Sequence, residues 1–210
     1  ANINVALTTT NSSATMSAGT TFTTTIDSVS YQFVTISDVT SNSSGSSINF
    51  DSAPVYEGTL VTTKFIVDTS DVEQRFILGD VRADTNTLTV KIQNSVTDTT
   101  TTTYTKVSDI TQLTTSSEVY FLQEVERGRF EIYFGDDVVS KSLSDGNVVV
   151  LSYVVTNKTL ANGASSFSAP SAIDGVSTIS ITTVSSASGG AEPESIGSIK
   201  LQAPLDYASQ

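Results

Sequence analysis

Residues 118–167 read EVYFLQEVERGRFEIYFGDDVVSKSLSDGNVVVLSYVVTNKTLANGASSF, and this stretch decides the fold. Residues 119–125 and 129–134 alternate apolar and polar side chains on either side of a turn at 126–128. Alternation around a short turn containing Gly is the pattern of a β-hairpin. In the second arm, every other residue from Phe130 onward is apolar and is expected to face the core.

The third segment of this stretch, Asn147–Thr156, is rich in valine and apolar on both faces. This pattern is typical of a central strand that is covered on both sides. Thr, Ser and Val dominate the whole chain, and β-branched residues favour pleated sheets over helices. The sequence therefore predicts a mainly β protein: an antiparallel β-sandwich-like domain with flanking β segments.

Further strands, loops and one helix are predicted outside this stretch. Alternation and turn residues predict strands at Asn4–Thr9, Thr20–Ile26, Tyr31–Ile36, Val55–Asp68, Gln74–Leu78, Leu88–Ile92 and Val176–Val184. The polar run Thr40–Ser47 is predicted to be a loop, and the Thr-rich run Thr97–Thr103 a hairpin tip or mobile loop. One short C-terminal helix is expected to start at Pro193 and to end near Pro204.

The composition of the sequence changes at Pro54, after which the predicted strands are longer and the apolar residues are larger. A second change occurs at the ANGASSFSAPS loop near residue 168. We therefore predict a discontinuous unit made of residues 1–53 and 169–210, with residues 54–168 as an inserted antiparallel β domain.

Composition excludes several classes of function. The chain of 210 residues contains no histidine and no cysteine, so it has no imidazole base, Cys nucleophile, disulfide or thiolate zinc site. Its net charge of −12 argues against nucleic-acid binding, which requires clustered Lys and Arg. No apolar run approaches the roughly 20 residues that span a bilayer, and the N-terminal residues do not have the pattern of a signal peptide. An enzyme is not expected.

The first chemical candidate is a group of oxygen donors: Asp136, Asp137, Asp145 and Asn147. Such donors could bind Ca²⁺, but their spacing fits neither an EF-hand loop nor the nonapeptide repeats that bind this ion. The same residues next to Gly are what tight turns require. The turn interpretation is favoured.

The second candidate is the set of carboxylates Glu124, Glu126 and Glu131. A carboxylate pair can hydrolyse a glycosidic bond, but the aromatic Trp that often binds sugar in such clefts is absent. Surface charges on a strand and turn are favoured instead. Gly189-Gly190 resembles a phosphate-binding turn, but acidic residues follow it and no P-loop lysine does. No catalytic, cofactor-binding or metal-binding residue is assigned, and no cofactor is expected.

The order of the segments FEIYFGDD, LSDGNVVVLSYVVT, LANGASSF, GVSTISITT and SGGAEPESIGSIKLQAPLDYASQ resembles the baseplate wedge (baseplate J-like) family of contractile-tailed phages of the T-even type. SAGTTFTTTIDSVSYQFVT is similar to a strand pair of that family. The resemblance extends over nearly the whole chain, and GGAEPESI followed by APLDY is its most specific part. Asp137 and Ser140 stand where the family tends to have Gly.

The resemblance implies a structural protein of the virion, located in the phage tail baseplate and assembled in the host cytoplasm. Family members join wedges into a ring around the tail tube, form homodimers, bind other wedge subunits and change conformation on infection. The family continues beyond the position of Gln210, so the chain is expected to be a fragment of a longer protein. The alternative is a secreted bacterial adhesin or an S-layer-type β-sandwich that binds calcium or sugar, which shares the Thr/Ser-rich acidic composition.

Overall fold

The computed structural model describes residues 1–192 and, beyond them, positions 197, 200, 201 and 204. Within these residues the chain forms fifteen β-strands and two 3-10 turns, at Ile110–Gln112 and Glu126–Gly128. The strands are β1 (Asn2–Thr8), β2 (Ser13–Met16), β3 (Thr21–Ile26), β4 (Val29–Val34), β5 (Val39–Ser44), β6 (Ser47–Pro54), β7 (Tyr56–Glu57), β8 (Thr59–Ile66), β9 (Phe76–Ile77), β10 (Ala83–Gln93), β11 (Thr101–Lys106), β12 (Val119–Val125), β13 (Arg129–Tyr133), β14 (Val148–Val155) and β15 (Ile179–Ser185). The predicted mainly β, antiparallel fold is confirmed. The predicted C-terminal helix lies mostly outside the described residues.

Two sheets pack around a first core. One has five strands in the order β15-β1-β6-β5-β2, and the other has three in the order β3-β4-β7. Alternation along each strand creates the apolar face: in β1, the side chains of Ile3, Val5 and Leu7 are buried, and their neighbours in the strand are half-buried or exposed. The buried residues of the first core are Ile3, Val5, Leu7, Ala14, Met16, Phe22, Phe33, Ile48, Phe50, Ala53, Val55, Ala161, Ala164, Ile173, Val176 and Ala187.

A seven-stranded sheet in the order β8-β14-β10-β11-β12-β13-β9 encloses a second core. Its pairings are antiparallel except that β11 and β12 run parallel. The sheet curls so that its two edge strands, β8 and β9, approach each other. The ring centroids of Phe65 in β8 and Phe76 in β9 lie 5.6 Å apart. Phe76 also packs edge-on against Phe134 at 5.7 Å. The buried residues of the second core are Val67, Phe76, Leu78, Ala83, Val90, Ile92, Tyr104, Tyr120, Ile132, Val149, Leu151 and Tyr153.

The hairpin and the central strand predicted from residues 118–167 are confirmed. Strands β12 and β13 pair from Phe121–Tyr133 to Val125–Arg129, and the turn between them contains two left-handed residues, Arg127 at φ 65° and Gly128 at φ 70°. Strand β14 lies between β8 and β10, as its valine-rich sequence indicates.

The loop predicted at residues 40–47 is wrong. These residues form most of β5, the turn at Gly45 and the start of β6, and the Ser41 hydroxyl donates to the carbonyl of Asn49 at 2.6 Å. The hairpin tip predicted at 97–103 is confirmed for 97–100, which connect β10 and β11, but 101–103 begin strand β11, where Tyr104 is buried. Both strands are polar, and they form because each pairs with neighbours that carry the apolar core residues. Tertiary pairing overrides composition in such strands.

The chain crosses between the two cores at two adjacent points. The first is Gly58 (φ 123°), which separates β7 of the three-stranded sheet from β8 of the seven-stranded sheet. A Cβ atom at this position would overlap the carbonyl of Val155, which ends β14 at the second crossing. The strand predicted at Val55–Asp68 is thus interrupted at Gly58, and the cause is the close approach of the two backbones.

The residues of the two cores can be compared with the predicted domain division, which itself stays a prediction. The second core draws its buried residues from 67–153. Val55, Ala161 and Ala164, which the prediction assigns to the insert, pack in the first core. The packing therefore places the junctions near Gly58 and Thr156.

Replacing Gly58 by alanine should lower the free energy of unfolding by about 2–4 kcal/mol, because the new methyl group meets the Val155 carbonyl in a backbone region unfavourable to L residues. Urea denaturation measures this loss. The matched control is Gly45→Ala, which also has positive φ but has no atom within 4 Å of the added carbon. Equal losses in the two variants would contradict the steric explanation.

A fragment of residues 59–156 should fold alone, because it contains all the buried residues of the second core and every strand of its sheet. We expect a cooperative thermal transition and dispersed amide resonances in an NMR spectrum. A fragment that is unfolded in water would show that the inserted unit depends on the first core, and the predicted domain division would then be wrong.

Candidate functional site

The oxygen donors of the predicted calcium site lie in turns that their own backbone fills. Asp136 accepts hydrogen bonds from the N–H groups of Val138 (3.1 Å) and Val139 (3.4 Å). Asp137, at φ 63°, accepts from the N–H and hydroxyl of Ser142 at 2.8 and 2.6 Å. These hydrogen bonds lower the pKa of both carboxyl groups.

The other two members of that set are also engaged. Asp145 accepts from the N–H of Thr69 at 3.0 Å, and the Asn147 side chain donates to the carbonyl of Asn94 at 2.9 Å and accepts from the N–H of Ser144 at 2.9 Å. Within the described residues, no three acidic side chains lie close enough together to hold a metal ion. The structure thus places these residues in turns that join neighbouring loops.

The three predicted carboxylates do not come together. In the β12–β13 register, Glu124 lies opposite Phe130, and Glu131 lies opposite Gln123. Side chains on adjacent positions point to opposite faces, so Glu124 and Glu131 are on different faces of the sheet. Glu126 lies in the turn between the strands.

Glu131 instead anchors a polar network that the sequence does not reveal. It is 8% exposed and accepts two hydrogen bonds of 2.7 Å from Arg75 and one of 3.0 Å from Gln123. The paired guanidinium is the main reason that the pKa of Glu131 is lowered. Beside this network on the same face, Phe121 and Tyr133 stack with centroids 5.0 Å apart.

A cleft of about 760 Å³ lies between the two cores. Its floor includes Glu57, which accepts hydrogen bonds from the Thr156 hydroxyl (2.7 Å) and from the backbone and side chain of Asn157 (2.8 and 2.7 Å). At its rim, Lys158 and Glu192 form an ion pair of 2.7 Å. The carboxylate of Glu57 therefore ties the two chain crossings together at the base of the cleft.

Gly189-Gly190 forms one wall of this cleft and is held in place by hydrogen bonds. The side chain of Asn162 donates to the Gly190 carbonyl at 2.9 Å and accepts from its N–H at 3.1 Å. A Cβ atom at Gly190 would overlap the carbonyl of Lys158. These contacts make the pair a fixed turn against the crossing.

The clearest binding feature is the free edge of strand β15. Among the described residues, β15 pairs with β1 only, and its sequence ISITTVS contains no charged residue and no proline. Edge strands of soluble proteins are commonly protected by charge, proline, shortness or a covering segment. The first two devices are absent from this strand of seven residues.

The edges at β2, β8 and β9 differ from β15. Strand β2 has four residues and β9 has two. Strand β8 carries Lys64, and the side chain of Gln74 donates to the carbonyl of Ile66 at its end at 2.8 Å. Strand β15, which the predicted strand 176–184 locates, and the edge strand β3 both lack charge and proline. Residues 163–165 cover the C-terminal end of the β15 edge, where the Thr183 hydroxyl donates to the carbonyl of Ser165 at 2.7 Å and the N–H of Ala187 donates to the carbonyl of Ala164 at 2.8 Å. The open part of the edge is therefore its N-terminal half, from Ile179 to Thr182.

Replacing Glu131 by glutamine should reduce the free energy of unfolding by about 1–3 kcal/mol near neutral pH, because charge-assisted hydrogen bonds to Arg75 are weakened. The lowered pKa means that the ionised pair stabilises the folded protein above the unfolded pKa of about 4.3, and that this stabilisation is lost as the pH falls through the folded pKa. Urea denaturation between about pH 7 and about pH 3 should therefore show the variant and the parent converging in acid.

The matched control is Glu124→Gln, on the opposite face of the same hairpin, which should change the free energy by less than about 0.5 kcal/mol. A difference between Glu131→Gln and the parent that persists unchanged at the acid end would contradict the role given to the ion pair.

No known protein family matches the sequence of this chain, and no curated protein is similar to it. No helix of the described residues is long and apolar enough to cross a bilayer.

Proposed function

We propose that this chain is a structural protein that binds neighbouring subunits through exposed sheet edges, as a component of the baseplate of a contractile phage tail. The observation that carries the assembly role is the edge of β15 from Ile179 to Thr182, where β1 is the only strand paired with it among the described residues. The assignment to a baseplate rests in addition on the sequence resemblance described above. The role in the baseplate is to join wedges into the ring around the tail tube and to take part in its change of shape on infection.

The edge of β15 supports protein–protein binding because an open strand offers a row of unpaired N–H and C=O groups to another strand. Its outward side chains Ser180, Thr182 and Val184 are exposed, with Val184 at 51%. Apolar and hydroxyl side chains on a pleated edge favour pairing with a similar strand. This edge thus has the chemistry of an interface between subunits.

The tied junction between the two cores supports a mechanical role. The close approach at Gly58 and the hydrogen bonds of Glu57 connect the three-stranded and seven-stranded sheets at two adjacent crossings. Two parallel connections resist twisting better than one flexible linker does. A subunit built in this way transmits a displacement at the edge of one sheet to the sheet around the other core.

The resemblance supplies the partners in this proposal: a second copy in the intact protein and other wedge subunits, within the virion. Neither a nucleic acid nor a membrane is among the proposed partners. Catalytic, cofactor and metal residues are not part of the proposal.

The proposal is tested by mass spectrometry of purified contractile-tail particles from the host that carries the gene, together with the reading of neighbouring genes. We expect peptides of this chain in the particles and genes for sheath, tube and wedge proteins beside its own. The absence of both would contradict the baseplate role.

A thermal melt in calcium is the control for the alternative, a secreted adhesin or S-layer protein. A ligand that binds only the folded state raises the melting temperature with its concentration. For a baseplate protein we expect the same melting temperature with and without millimolar Ca²⁺, and a large rise would favour the adhesin.

A further inference from the structure

We infer that the outer face of the seven-stranded sheet, where β8, β14, β10 and β11 lie side by side, is a docking surface for a different, acidic protein. We call it the lysine face, after its two charged residues, Lys64 and Lys91. This surface presupposes the proposed assembly function and adds to it the chemistry of one partner, a protein that presents carboxylate groups. Its contacts are made by side chains on the face of a sheet and not by an open strand edge.

Alternation along the central strand β14 shows which side chains form this face. Val149 and Leu151 are fully buried in the second core. Val150 and Ser152 alternate with them, so they point away from the core, and both are only half-buried. The face that they share is therefore the outer face of the sheet.

Two rows of side chains cross the strands on the lysine face. The first row consists of Lys64, Val150, Lys91 and Thr103, and the second consists of Thr62, Ser152 and Thr89. Neighbouring strands lie about 4.8 Å apart, so the backbones of the two lysines, with one strand between them, are separated by about 10 Å. Both lysines are exposed. The hydroxyls of Thr62 and Ser152 are bonded to each other at 2.9 Å, which fixes the surface beside them.

The lysine face differs from the rest of the surface in charge. The chain has 22 acidic residues against 10 basic ones, yet β8, β14, β11 and residues 89–93 of β10 contain no Asp or Glu. Among the described residues, four cations form ion pairs, and neither Lys64 nor Lys91 is one of them. An acidic protein is repelled by the net charge of −12 and is attracted to this face. Charge complementarity therefore selects a partner that carries carboxylates.

The side chains around the two lysines suit a protein contact. Val150 lies between them, and Ile66, at the end of β8, is 57% exposed. Threonine and valine are stiff at χ1, so docking on them fixes few free rotamers. Opposite charges at such a contact steer the encounter and set its register more than they add affinity.

A nucleic acid fits this face less well than an acidic protein does. Binding of nucleic acid draws its affinity from many phosphates neutralised along a track of Lys and Arg. Two lysines can neutralise only a few phosphates. The same two charges match a pair of carboxylates on a folded protein.

The binding test uses a short poly-glutamate peptide as the probe, titrated at low salt into the isotope-labelled full chain. We expect the amide resonances of residues 62–66, 89–93 and 148–152 to shift, and the shifts to disappear as salt is added, because exposed charges are screened. Shifts centred elsewhere on the molecule, or the absence of shifts, would overturn the inference. Stronger binding of an oligonucleotide of equal charge at this face would also overturn it.

Charge reversal on the lysine face provides the matched comparison. Lys64→Glu combined with Lys91→Glu should abolish the shifts, whereas Lys106→Glu combined with Arg127→Glu changes the net charge equally and should keep most of them. Lys106 ends β11 on the side of buried Tyr104, and Arg127 lies in the turn between β12 and β13. Equal loss in the two double variants would overturn the inference.

A milder pair of substitutions guards against a folding defect in the reversed variant. All four substituted positions are exposed, so we expect unchanged melting temperatures. Lys64→Gln combined with Lys91→Gln removes the charges without reversing them and should weaken peptide binding severalfold. Unchanged binding of this variant would contradict the role of the lysines.

Acetylation of amines separates the lysine face from the baseplate role. In tail particles that contain the chain, Lys64 and Lys91 should be acetylated less than in the free chain. Equal acetylation would refute the lysine face and leave the baseplate role standing. A chain that binds the peptide on this face but is absent from tail particles keeps the lysine face and refutes the baseplate assignment.

Discussion

The backbone at Gly58 runs against the carbonyl of Val155 so closely that no side chain fits between them. This contact places the only two passages between the cores, within the described residues, side by side. At this contact the start of β8 lies opposite the end of β14. The neighbouring Glu57 reaches Thr156 and Asn157, which follow β14 in the chain.

Many of the acidic residues stabilise turns around the second core. Carboxylates in its loops repeatedly accept a hydrogen bond from the N–H group two residues later, which is the geometry of an Asx-turn. The pairs are Asp68 with Ser70, Asp71 with Glu73, Asp80 with Arg82, Asp84 with Asn86, Asp98 with Thr100, Asp109 with Thr111, and Asp136 with Val138. Much of the negative charge thus lies in turns around the second core, and the neighbouring strands β1 and β15 of the five-stranded sheet are left neutral.

Sequence reasoning succeeded where the signal is local. The hairpin at 119–133 and the central strand β14 follow from alternation and from a run of valines, and both are read from a few adjacent residues. It failed for β5 and for the first residues of β11, whose Ser and Thr residues resemble loops until a neighbouring strand supplies the apolar side chains. The partner of Glu131 could not be foreseen, because Arg75 lies 56 residues away. The absence of charged residues from β15 could be read from the sequence. Its position at the edge of a sheet could not, because that depends on which strands pair.

The position of β15 also has a consequence for the order of folding. Its partner β1 lies at the other end of the described chain, and the N–H of Asn2 bonds to a side chain 183 residues later. Closing so long a loop is slow, and the second core can form in the meantime from residues much closer in sequence. On a ribosome, β1 must wait for its partner until β15 is synthesised. The pair of β1 and β15 therefore forms only after all the strands of the second core have been synthesised.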